Sequence, residues 1–135
     1  MRKVYVIAAK RTAIGTFDGT LKDVGAVDLG TIVAKELLTG SSVDVKDIDE
    51  VIFGNVLSAG LGQNVSRQIA IKTGIGFEVP SYTVNKVCAS GMKAVQLAYQ
   101  SIAIGDADVI LAGGTENMNQ APYLVSGARF GLRNE

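Results

Sequence analysis

Short β-branched runs alternate along this chain with longer segments of helical period, and that alternation restricts the fold more than any other feature. Val4 to Ala9, Val51 to Val56, Ser81 to Asn85 and Val109 to Ala112 read as buried strands. Between them, Asp28 can cap a helix carrying Leu29, Ile32, Val33 and Leu37 on one face, ended by Gly40-Ser41-Ser42. A second helix is expected over Val65 to Thr73 with Gly74 as its stop, and a third from Cys88 to about Ile104 with Gly105 as its stop. Strand–helix alternation predicts βαβ units: an α/β fold with a mostly parallel sheet and helices on both faces. Ligands on such sheets bind at the C-terminal ends of the strands.

A chain of 135 residues suffices for one domain. Composition narrows the function classes. The 13 basic and 13 acidic residues cancel, and the basic ones are scattered, so no electrostatic footprint for nucleic acid or a membrane surface is expected. No apolar stretch approaches the ~20 residues of a membrane helix, and the apolar run after Met1 is too short for a signal peptide. The expected location is cytoplasmic. One cysteine and no histidine exclude an internal disulfide and a Cys/His zinc site, so no metal is expected. Sixteen glycines exceed the usual ~7% and suit a layered fold with many tight turns.

The single cysteine, Cys88, falls at the junction of the third predicted strand and the third predicted helix. A thiol there meets unpaired backbone N–H groups and the positive end of the helix dipole, a setting that favours nucleophilic sulfur. Taken bare, a lone cysteine is more often a small buried apolar residue. The position after a strand end shifts that balance, as do the small neighbours Ala89, Ser90 and Gly91, which let a substrate approach closely. The backbone N–H groups can also stabilise an oxyanion on a thioester carbonyl. The following helix has a narrow polar stripe of Lys93, Gln96 and Gln100, with apolar residues over most of its remaining surface. So wide an apolar arc implies burial on two sides, whereas one sheet covers only one.

Four segments carry a family resemblance. Val6-Ile7-Ala8-Ala9-Lys10-Arg11-Thr12-Ala13-Ile14-Gly15 resembles a first strand with an R-T-P-x-G turn, Ala13 standing where proline is common. Gly62 to Gln68 resembles G-Q-N-x-x-R-Q, and Asn85 to Gly91 resembles the nucleophile motif N-x-x-C-x-S-G. Gly113 to Asn119 resembles G-G-x-E-x-M-S, with Asn119 in place of serine. In combination they identify the chain as similar to the N-terminal part of a thiolase of the acetyl-CoA acetyltransferase type.

The resemblance implies the N-terminal half of the layered thiolase fold. Residues 1–114 would form the half-domain with the nucleophile helix, and residues 115–135 the start of a loop region. It also implies a two-step Claisen reaction on acyl-CoA, condensing two acetyl-CoA or cleaving a 3-ketoacyl-CoA. Cys88 would be the acylated cysteine, with its backbone N–H as an oxyanion contact. A coenzyme A thioester is then the substrate, with no separate cofactor, and the CoA-binding residues are unassigned. The base, a second cysteine and most CoA contacts would come from the C-terminal half of the fold, so the 135 residues alone are expected to be nearly inactive. A homo-oligomer, dimer or tetramer, is implied, with Pro80 to Asn85 as the strand that pairs across its interface.

Two other readings stand beside this one: a related condensing enzyme of the ketoacyl-synthase kind, and a non-catalytic half-thiolase module that oligomerises. A redox-sensing thiol lacks a resolving cysteine in the chain. Lys86 reads as a solvated loop lysine and Arg67 as a structural residue of the second helix. Glu116 and Asn117 lie just past a strand end, where sites form, and read as polar loop ahead of site residues; Met118 reads as a loop residue packed against the core or as part of an acyl pocket. The glycine pairs around Gly60 and Gly113 lack phosphate-loop spacing and read as turns. The acidic run from Asp44 to Glu50 reads as solvated surface.

Overall fold

A computed structural model describes residues 1–132. Its elements are α1 (Ala26–Thr39), β1 (Glu50–Gly54), α2 (Val65–Thr73), β2 (Ser81–Val84), α3 (Ser90–Ile104) and β3 (Ile110–Gly114), with short 3-10 turns at Val45–Asp47, Met118–Gln120 and Ala128–Phe130. The three strands form one parallel sheet in the order β2-β1-β3. Val51 pairs with Ser81 on one side and with Leu111 on the other; Gly54 pairs with Val84 and with Gly114.

This strand order determines where the helices go. The chain crosses from β1 to β2 in one direction, then back over β1 to β3 in the other. Crossovers between parallel strands keep one hand, so reversing direction moves the connecting helix to the opposite face. Accordingly α2 packs with α1 over Val51, Phe53 and Leu111, while α3 packs over Ile52, Ile110 and Ala112. The central strand is therefore covered on both faces, and Val51, Ile52 and Phe53 are fully buried. The α/β class, the parallel sheet and the two helical faces agree with the sequence pattern.

Local chemistry accounts for the helix ends. Asn64 caps α2 by accepting from the Arg67 N–H at 3.1 Å, and left-handed Gly74 ends it. Left-handed Gly105 ends α3. The start of α1 differs from expectation: Gly25 is its N-cap, and Asp28 lies in the first turn. A carboxylate there faces the positive end of the helix, and it also pairs with Lys72 at 2.8 Å. The buried face of α1 is likewise shifted. Ala26, Val27, Gly30, Thr31 and Ala34 point inward, whereas Ile32 is exposed. Small residues there let α1 approach α2 closely; a Cβ on Gly30 would overlap the Ile69 side chain.

The predicted strand over Val4 to Ala9 is absent. The segment is extended, with Tyr5, Val6 and Ile7 exposed, and is tied down near its start by the Arg2 N–H donating to Ala103 O at 3.0 Å and by the Arg2–Asp108 ion pair. A β-branched pattern makes a strand only where a neighbour completes the ladder. The outer edge of β3 is the nearest candidate, but a cavity of about 380 Å³ separates it from this segment. The fourth predicted strand also shifts, since β3 begins at Ile110 and includes Gly113 and Gly114 rather than ending before them.

Among the described residues no helix is long and apolar enough to cross a membrane. The outward face of α3 carries Met92, Val95, Tyr99 and Ile104, all more than half exposed. The second apolar side expected for this helix is thus real, and among the described residues nothing covers it.

Candidate active site

The loops after β1 and β2 leave toward opposite faces of the sheet. Between neighbouring strands of that kind a crevice opens at the C-terminal ends, the usual ligand position in parallel α/β sheets. Cys88 lies in the loop that leaves β2, four residues past its end, and it is exposed. It precedes α3 by two residues rather than opening it, because Ala89 is the N-cap.

Backbone geometry at this junction is unusual. Val87 has φ +51°, a left-handed conformation that strongly disfavours a β-branched residue and costs on the order of 1–3 kcal/mol. Side chains on either side hold it. Asn85 Oδ1 accepts from the Val87 N–H at 2.9 Å. Ser90 Oγ donates to Val87 O at 2.6 Å and accepts from the Lys86 N–H at 2.8 Å. Backbone bonds from Ala89 N to Lys86 O and from Ser90 N to Val87 O, each 3.1 Å, close the turn.

Glycines let the start of α3 sit directly on the strand ends. A Cβ on Gly54, at the end of β1, would overlap the backbone of Ser90 and Gly91. A Cβ on Gly114, at the end of β3, would lie 3.1 Å from Gly91 Cα. Gly114 therefore serves helix–strand approach and Gly113 makes room for the Phe53 ring, and neither forms a turn.

The segment Gly62 to Gln68 clamps β2, which leads into the Cys88 loop. Asn64 Nδ2 donates to Ser81 O at 2.9 Å, and Asn64 Oδ1 also accepts from Thr83 Oγ1 at 3.0 Å. The Ser66 N–H donates to Thr83 Oγ1 at 2.9 Å, and Ser66 Oγ donates to Val51 O at 3.0 Å. The Arg67 guanidinium donates to the carbonyls of Val79, at 2.6 Å, and Phe77, at 2.7 Å, fixing the approach to the strand. A structural role for Arg67 was legible; the clamp was not, because its acceptors lie 10 and 12 residues along the chain.

Glu116 and Asn117 also prove structural. The Glu116 carboxylate accepts from Asn55 Nδ2 and from the N–H groups of Val56 and Leu57, at 2.9–3.1 Å, joining the β1 loop to the β3 loop. Asn117 Nδ2 donates to the carbonyls of Lys22 and Val24, stapling the loop before α1. Asn119 Oδ1 accepts from the Asp18 N–H at 2.6 Å, so asparagine in place of serine here finds a partner of its own. Met118 is exposed, contrary to the packing expected of it, and so is Lys86, as expected. Asn55 is buried and its Oδ1 has no partner among the described residues. No cluster of three or more His, Cys, Asp or Glu suited to a metal occurs among the described residues. A cavity of about 630 Å³ between residues 10–17, α1 and the 113–119 loop is not lined by Cys88.

Residues 4–135 match the family model described as the thiolase N-terminal domain. The chain belongs to the thiolase family. It is similar to an acetyl-CoA acetyltransferase of Syntrophomonas wolfei, with 56% identity over 132 residues, 98% of this chain and 33% of that protein. An acetyl-CoA acetyltransferase of Pseudomonas aeruginosa is 53% identical over 133 residues, 98% of this chain and 34% of the relative. Among solved structures, a thiolase from Ascaris suum in complex with coenzyme A superposes with a TM-score of 0.88 at 45% identity, over 91% of this chain and 32% of that one. This thiolase chain thus spans about a third of the length of the relatives it matches.

Proposed function

We propose that this chain supplies the acyl-carrying part of an acetyl-CoA C-acetyltransferase, with Cys88 as the nucleophile. One observation carries the reading. The single cysteine of the chain is exposed at the C-terminal end of the parallel sheet, within the N-x-x-C-x-S-G segment of a chain from the thiolase family. The coenzyme A bound to the Ascaris suum thiolase supports a CoA thioester as substrate, and no separate cofactor is invoked.

In this scheme the Cys88 thiolate bonds to the thioester carbonyl carbon of acyl-CoA. The carbon–sulfur bond to CoA breaks, CoA leaves as a thiol, and the acyl group remains on Cys88. A second acyl-CoA, deprotonated at its α-carbon, attacks that carbonyl, releasing a 3-ketoacyl-CoA and the free thiolate. In the reverse direction CoA cleaves the 3-ketoacyl-CoA. The backbone N–H of Cys88 would contribute to stabilising the oxyanion. The 135 residues contain no histidine and no second cysteine, so other parts of the whole protein must handle the protons. The 115–135 segment, the start of the loop region that follows the half-domain, belongs to this proposal. So do a cytoplasmic location and a homo-oligomer formed along the outer edge of β2.

The test is CoA-dependent cleavage of acetoacetyl-CoA by the full-length polypeptide, with and without Cys88→Ala. Loss of activity to background in the variant, at unchanged folding, is the expected result. Undiminished cleavage by Cys88→Ala would remove Cys88 from the reaction. Condensation of a malonyl thioester without thiolytic activity would instead favour the ketoacyl-synthase reading.

A further inference from the structure

Val87 is the one β-branched residue with positive φ among the described residues; the other two non-glycine cases are Asp18 and Asn64, types that tolerate that conformation. It directly precedes Cys88. Asn85 binds its N–H, Ser90 binds its carbonyl, and Ser90 is itself buried where Gly54 lets the start of α3 press onto β1. These contacts hold the turn from both sides. Without them a valine relaxes to negative φ, and the following peptide plane and the Cys88 side chain rotate with it.

We infer that Asn85 and Ser90 are positioning residues for Cys88, acting through the left-handed backbone that they impose on Val87. The inference rests on Cys88 being the nucleophile. It extends that reading by assigning two side chains, which bond to the backbone on either side of Val87, to the aim of the thiol. Ser90 bridges Lys86 and Val87 and locks the loop to the helix; Asn85, exposed on the loop, is the member that can be removed without opening the core.

Glycine adopts left-handed φ without help, so it separates this role from a merely structural one. Cys88 is the one cysteine of these 135 residues, and iodoacetamide alkylation of the full-length polypeptide, read on the peptide that carries Cys88 by mass spectrometry, reports on this thiol alone. Asn85→Ala should slow alkylation about tenfold, as expected for a displaced and differently solvated thiol. Asn85→Asp, which keeps an acceptor oxygen in place, should stay within about threefold of the parent. The double variant Asn85→Ala with Val87→Gly should recover to within about threefold, because glycine makes the Asn85 bond dispensable.

An Asn85→Ala chain that reacts as fast as the parent overturns the inference. So does a double variant that stays as slow as Asn85→Ala. If Asn85→Ala alone loses its helical circular dichroism, the double variant decides, and slow labelling there overturns the inference equally. Alkylation needs no acyl transfer, so it is read independently of the proposed function. A parent protein that takes no acetyl group from acetyl-CoA would count against Cys88 as the acyl carrier, while unchanged alkylation would count against the turn.

Discussion

Gly54→Ala tests whether the start of α3 is pressed onto the strand ends as tightly as the structure indicates. An added Cβ would lie within 2.6 Å of Ser90 O and as close to the Ser90 carbonyl carbon and Gly91 N. All three are backbone atoms, so no flexible side chain can yield. The helix start must move by several tenths of an ångström against Ile52 and Val84, which it covers. Overpacking of this kind costs about 1–3 kcal/mol. A second effect opposes it. Gly54 has no left-handed φ to prevent alanine, so the substitution also narrows the unfolded ensemble, a gain of ~0.4–1 kcal/mol. The steric term wins, and a net loss of about 1–2 kcal/mol is expected in urea unfolding at unchanged m. Gly74→Ala is the control: its Cβ meets nothing within 4 Å, and only its φ of +97° opposes the change, at about 1 kcal/mol. Only Gly54→Ala should also change the alkylation rate of Cys88, because only there does the disturbance reach Ser90. A Gly54→Ala protein as stable as the parent, with unaltered Cys88 labelling, would refute the close approach.

Other outcomes follow from the same contacts. Asn64→Ala removes the cap of α2 and two of its ties to β2, and should lower stability by about 1–3 kcal/mol while speeding amide exchange in Ser81–Val84 before the rest of the sheet. The backbone N–H groups of Val109 and Asp108 hold the Asp49 carboxyl below its ordinary value of 3.8. A depressed carboxyl contributes stability that is present above that value and is lost as pH falls through the lower folded one; Asn at position 49 should flatten this acid limb in urea titrations below about pH 4. Glu50 has the opposite sign, since burial, then the nearby Asp106 charge, raise it above 4.5. Its contribution is lost as pH rises through that window, so Glu50→Gln should raise the melting temperature slightly at pH 7 and leave it unchanged near pH 3.

Which features could be read from the sequence depended on how local their causes were. The extent of α2, from about Val65 to Thr73, was legible because its end rests on neighbouring chemistry, the Gly74 stop. The end of α3 at Gly105 was legible for the same reason. The strand over Val4 to Ala9 was not, because a strand needs a partner and the β-branched pattern does not say whether one is adjacent. The inward face of α1 was misassigned because helix contact with Ile69 and Phe53 selects Gly30 and Ala34 for their size, not for their hydrophobicity. Gly113 and Gly114 looked like a strand stop, but they belong to β3 and admit Phe53 and Gly91. At the candidate site, the motif singled out Cys88. The left-handed Val87 and the side chains that hold it were not legible, since nothing in a valine announces positive φ. The clamp that Asn64 and Arg67 place on β2 was equally hidden, because their acceptors on and before β2 become neighbours only when the sheet forms.

The most direct test of the account is to incubate the full-length polypeptide with acetyl-CoA, quench in acid and map the acetyl group by peptide mass spectrometry. The account predicts one acetyl thioester, on Cys88, discharged by added CoA and absent from Cys88→Ala. A stable acetyl group on another residue, or none on Cys88 in a preparation that turns over acetoacetyl-CoA, would contradict it.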